Sequence, residues 1–198
     1  TAPTQATPLI QEAQAIALFG RGRLAQGAGQ TAEAGKLFEQ LKSLYPWSPK
    51  VLEANFGIAQ SNLESGQLDE AITLLTAIIR ATTATAELRA NSMLLFGAIM
   101  LEQRKLATDP KKKEELLNGA IDSYIKIPQF YGGVPRAAAE GLWMGSQLIE
   151  EQANASTDTR FKAQQLNRAK LFYQQLVTDY PNSEFAPKAK ERLAALGN

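Results

Sequence analysis

The chain has 198 residues, 44% of them apolar, and its 21 Lys plus Arg nearly cancel 20 Asp plus Glu, for a formal charge of +1. That length suits one compact unit or one continuous array, and the charge balance argues against nucleic-acid binding, which calls for a strongly basic domain. With no His and no Cys, the side chain best suited to proton transfer is missing, and so are thiol nucleophiles, disulfides and thiolate metal sites.

Residues 1–7 (TAPTQAT) have the composition of a mobile tail. Thr7-Pro8 is a cap-and-proline helix start, and the first helix is expected over about Pro8 to Ala28 with a stop at Gly29. Gly20, Gly22 and Gly27 weaken it by roughly 1 kcal/mol each against Ala, and close packing by a neighbouring helix is the usual compensation. Its partner, about Thr31 to Tyr45, sets Ala34, Leu37, Phe38, Leu41 and Leu44 on one face and ends at Pro46. Ser48-Pro49 opens the third helix by the same logic as Thr7-Pro8. Between Leu52 and Ile79 the sequence reads as two amphipathic helices around Gly66, which can take the left-handed conformation that caps a helix.

Ala86 to about Gln103 is apolar around too much of its circumference for a surface helix and is expected in the middle of the array. Arg104 to Pro110 (RKLATDP) is then an insertion, followed by a helix to Lys126, a proline-bounded linker from Pro128 to Pro135 (PQFYGGVP), and a helix over about Arg136 to Gln152. Asn154 to Asp158 forms a second irregular loop. A helix to Asp179 and a final amphipathic one with Phe185, Ala189, Leu193 and Leu196 complete the chain. No apolar run approaches the roughly eighteen residues of a membrane span.

Small residues recur at fixed intervals. Gly22, Gly29, Ala34, Phe38 and Pro46 are echoed by Ala59, Gly66 and Ala71, then by Ala120 with Tyr124, and by Ala169, Tyr173, Leu176 and Pro181. This pattern resembles the tetratricopeptide repeat, whose period is about 34 residues. The resemblance implies an all-α, right-handed solenoid of four hairpins (about 8–46, 48–82, 85–127 and 135–181) closed by a polar-faced cap over 183–196. Tyr45-Pro46-Trp47-Ser48 and Tyr180-Pro181-Asn182-Ser183 resemble the Y-P-x-S junctions of a subgroup that includes bacterial envelope proteins. Among these are the outer-membrane assembly lipoprotein and the periplasmic partner of the Tol-Pal system. That resemblance implies a periplasmic or exported chain, and a removed leader is compatible with a start at Thr1.

Chemistry has few places to sit. Glu114-Glu115 and Glu150-Glu151 are adjacent on helices, point about 100° apart and read as solvated faces. Gly20-x-Gly22 lies inside a helix and cradles no phosphate, Asn154-Ala155-Ser156 reads as a polar loop, and Lys111-Lys112-Lys113 reads as a basic turn neutralised by Glu114 and Glu115. The aromatic set carries more. Phe19 and Phe56 fall where the family's first helices face a concave groove, with Phe96 and Trp143 near matching places and Arg23, Gln60 and Glu64 one or two turns on. The resemblance therefore implies a non-enzymatic scaffold without cofactor or metal, whose groove takes a peptide or helix of a protein partner. The competing readings are aromatics packed between hairpins, a structural or self-associating module without groove function, and a ligand pocket framed by Tyr131 and Arg136. The family's peptide-carboxylate clamp uses Lys and Asn where this chain has Phe19, Arg23, Phe56 and Gln60, so that mode is not expected.

Overall fold

The computed structural model describes residues 7–197; the predicted tail, apart from Thr7, lies outside them. Among the described residues there are nine α-helices and no strand. They run α1 Pro8–Gly27, α2 Thr31–Leu44, α3 Val51–Glu64, α4 Leu68–Arg80, α5 Ala86–Leu106, α6 Pro110–Tyr131, α7 Pro135–Ala155, α8 Thr159–Asp179 and α9 Ala186–Leu196. The chain falls into two compact units, Thr1–Ala84 and Thr85–Asn198. Consecutive helices inside each unit pack as antiparallel hairpins.

In the first unit the spacing-derived positions are the core. Ala34 and Ala71 are buried, as are Phe38 and Leu75, each four residues further along its helix. Phe38 is a plug: its ring lies against Gly22 of α1 and Gly57 of α3, and a Cβ at Gly22 would come within 2.5 Å of it. The two glycines let helix backbones close on an aromatic ring that no larger residue would admit. Hairpin turns form as the sequence predicts. Gly29 (φ +73°) and Gly66 (φ +77°) are left-handed, and the following amides, of Gln30 and Gln67, donate back to Ala25 O at 2.9 Å and Asn62 O at 2.8 Å.

Three expected helix bounds need correction. Helix α3 starts at Val51, because Ser48 spends its hydroxyl on the Lys50 amide (3.2 Å) and its carbonyl on the Val51 amide (3.0 Å), making a turn instead of a cap. Helix α6 does not stop at Lys126 but passes through Pro128 to Tyr131, so the predicted eight-residue linker shrinks to three residues, Gly132 to Val134. Pro128 cannot donate to the Tyr124 carbonyl one turn back, and Gly141 of α7 packs directly on that carbonyl. The insertion at Arg104 is mostly helical too: α5 reaches Leu106 and leaves Ala107 to Asp109 as the connection.

The second unit repeats the plug. Ala120 and Ala169 are buried, with Tyr124 and Tyr173 where the first unit has Phe38 and Leu75. The Tyr124 ring rests on Gly97. Its phenol pKa is pushed up to about 12, chiefly by burial and secondarily by the charge of Glu140. Glu150 is not on a solvated face. It is buried on α7 and accepts hydrogen bonds from the Tyr173 hydroxyl (3.2 Å) and from the Arg192 guanidinium of α9. Burial, followed by the Glu150 charge and hydrogen bond, raises the Tyr173 pKa, and the same carboxylate raises that of Arg192. The cap helix is thus held by a polar tie as well as by buried Ala186 and Ala189.

Candidate functional site

Five of the seven candidate residues share the first unit, on α1 and α3. The plug Phe38 brings these helices together from below, and Phe19 extends it upward, its ring 5.7 Å from that of Phe38 with an interplanar angle of 42°. Phe19 is half-buried, and the Lys50 ammonium stands over its ring at 5.2 Å. Lys50 also pairs with Glu53 at 2.7 Å. On α3, Phe56, Gln60 and Glu64 follow one another at one-turn spacing and grade from half-buried to exposed. Gln60 is tied across to α1, its side-chain oxygen accepting from Gln26 Nε2 at 2.6 Å. Arg23 is exposed. This face therefore presents two half-buried aromatic rings among polar side chains, with both charge signs at its edges.

Sequence reasoning missed Lys50, Glu53 and Gln26 on this face. The signal available was spacing: Glu53 precedes Phe56 by one turn, and Gln26 follows Arg23 by one. The remaining two candidates belong to the second unit. Phe96 is half-buried beside Gly97, the glycine under Tyr124, so Gly97 is the close-packing position there. Trp143 is also half-buried, its ring 5.7 Å from that of Tyr173 and stacked at 6.3 Å and 21° on Phe185.

A cleft of about 530 Å³ in the second unit lies between the α6–α7 turn and residues 179–185, lined by Arg136, Asp179, Tyr180 and Glu184 among others. Burial holds Glu140, one turn along α7 from Arg136, above the usual carboxylate range; Arg136 opposes this and Glu184 adds to it. The Tyr180 hydroxyl donates to Gly132 O at 3.3 Å, closing one wall. Among the described residues no cluster of three or more acids could hold a metal ion, and no helix is long and apolar enough to cross a membrane. In the first turns of α6, Lys112 pairs with Glu115 at 3.7 Å in the open, as a screened surface turn would.

Residues 25–90 match one tetratricopeptide-repeat family model and residues 157–183 match another. Both stretches are tetratricopeptide-repeat sequence. Solved structures agree: 17 chains match, among them a thermophilic TPR protein of Thermus thermophilus, with a TM-score of 0.53 at 14% identity over 92% of this chain and 98% of that one. At that identity the likeness speaks for the fold alone. A Podosopora anserina putative kinesin light chain with nearly identical TPR-like repeats is 19% identical over 94% of this chain and 95% of its own, with a TM-score of 0.40. No curated protein matches. The TPR reading makes sense of both junctions. Tyr45 (φ −132°, ψ 57°) and Tyr180 (φ −129°, ψ 54°) end their helices alike, and in both places the serine three residues on donates its amide to the tyrosine carbonyl, at 2.9 and 3.0 Å. TPR folds generally mediate protein–protein interaction, and TPR proteins are typically non-enzymatic scaffolds.

Proposed function

We propose that the α1–α3 face of the first unit binds a helical or extended segment of a protein partner. Phe19 and Phe56 would supply the apolar contact, with Arg23, Gln60 and Glu64 fixing register. The observation that carries this reading is the half-burial of both rings beside the polar pairs Lys50–Glu53 and Gln26–Gln60. Few residues dominate such contacts, and they are large side chains presented by a pre-organised surface. In the second unit, the half-buried Phe96 and Trp143 are proposed as further contacts of the same kind. An envelope setting, periplasmic or exported, is part of the proposal and is supported by the two Y-P-x-S junctions.

The test is selection from a displayed peptide library, with the winners titrated against Phe56→Ala and Glu64→Arg. The expected result is at least about a tenfold loss of affinity for Phe56→Ala with an unchanged melting temperature. A loss of about 3–5 kcal/mol of stability instead would make Phe56 a core residue and remove it from the face.

A further inference from the structure

Helix α1 has a second face, turned away from Phe38, that nothing in the described chain covers. Leu9, Ala13, Ile16, Gly20, Leu24 and Gly27 follow at steps of three and four residues, which places them on one stripe. Leu9 and Leu24 are 76% exposed and Ile16 is 50% exposed. The glycines are the unusual part. Inside the other helices a glycine marks a close approach, as with Gly57 under Phe38, Gly97 under Tyr124, Gly119 under Met100 and Gly145 under Ile125. A Cβ at Gly20 or Gly27 would meet nothing within 4 Å. Gly20 inside the helix and Gly27 at its last position therefore leave hollows in an exposed apolar stripe, with no packing among the described residues to fill them.

We infer that a second copy of this chain docks there, α1 antiparallel to α1 about a two-fold axis at the level of Leu18. The pattern is self-complementary. Centred there, Leu9 lies over Gly27 of the second copy and Ile16 over Gly20, so each protruding side chain faces a hollow, and the two-fold repeats both contacts. Charge fixes the same register independently. Glu12 and Arg23 are exposed on one flank of the stripe, and neither is in an ion pair among the described residues. A two-fold of this kind keeps that flank on the same side in both copies. It sets Glu12 within one residue of Arg23 of the second copy, twice. A parallel pairing would set glycine against glycine and carry the charged flank of the second copy to the opposite side, leaving Glu12 and Arg23 without partners. Steric fit and charge thus select one partner and one orientation. One helix pair buries less than the roughly 1,200 Å² of a standard interface, so the dimer is a weak one that forms at high concentration.

The test is sedimentation equilibrium of the full chain up to about 1 mM, the weak end set by an interface below standard size. The expected result is a concentration-dependent rise to twice the monomer mass. Gly20→Gln fills the hollow with a better helix former: it should hold the chain monomeric while raising its melting temperature, which separates lost docking from lost folding. Glu12→Arg or Arg23→Glu alone should weaken association roughly two- to thirty-fold, from two exposed pairs per dimer, and the double exchange should restore it. A monomer throughout that range, a dimer that survives Gly20→Gln, or a double exchange no better than either single change overturns the inference.

Discussion

The two units solve one packing problem with different turns. In the first, α2, α3 and α4 have 14, 14 and 13 residues, and both hairpin tips use a left-handed glycine. In the second, α5 to α8 have 21 or 22 residues, and the tips run through extended residues, Ala107 (ψ 141°) and Ser156 (ψ 137°), into Asp109 and Asp158 caps. Asp109 accepts from the Lys111 amide at 3.1 Å, and Asp158 accepts from Arg160 and Phe161 at 2.9 and 3.1 Å. Both insertions in the sequence are thus absorbed by lengthening a hairpin at its tip. The plug position stays where it was: the ring of Phe38 against Gly22 and Gly57, and the ring of Tyr124 against Gly97. Hairpin length is free, while the point of closest approach is not.

The strongest way to break this equivalence is to remove the plugs. Phe38→Ala and Tyr124→Ala should each cost about 3–5 kcal/mol, measured by urea unfolding, since each leaves a cavity between two or more helices. One tryptophan sits in each unit, Trp47 in the first and Trp143 in the second, so Trp47→Phe leaves a probe of the second unit alone. A Tyr124→Ala loss well under about 1 kcal/mol would mean that only the first unit depends on its plug.

Alkaline pH should separate the units next. Free phenols ionise near 10, whereas Tyr124 ionises at about 12 when folded, and burial raises Tyr173 as well. Across that interval the folded second unit holds protons that the unfolded one has lost, so the contribution of these phenols to its stability is full up to about pH 10 and falls as pH rises towards 12. The first unit has the non-ionising Phe38 and Leu75 at the matching positions. Urea midpoints followed through Trp143 should fall over that range and then level for Tyr124→Phe to the extent that Tyr124 carries the effect. A flat midpoint from about pH 9 to 12 would contradict it.

The smallest effects lie at the tips. Gly66→Ala should cost roughly 1 kcal/mol because φ is +77° there. Asp158→Ala should cost about as much by a different route, the loss of two capped amides. Equal and small effects in thermal unfolding would show the two turn designs to be interchangeable.

Much of this was legible in the residues. The small-residue intervals located the hairpins because a close helix approach demands Gly or Ala at a fixed place on each helix, and Ala34, Ala71, Ala120 and Ala169 are all buried as that demands. Gly29, Gly66, Thr7-Pro8 and Asp109-Pro110 announced turns and caps because φ and a missing amide hydrogen are local properties. Tertiary structure alone decided the rest. Pro128 stays inside α6, and Gly141 packs on the carbonyl that the proline leaves free, a contact made across a sequence separation that no local pattern reports. Glu150 looked like half of a solvated pair, yet Arg192 and Tyr173 from later helices supply the hydrogen bonds that let a carboxylate be buried. The α1 glycines show the same division: composition says that they weaken a helix, and only the fold shows that Gly22 is filled from within while Gly20 and Gly27 are left open.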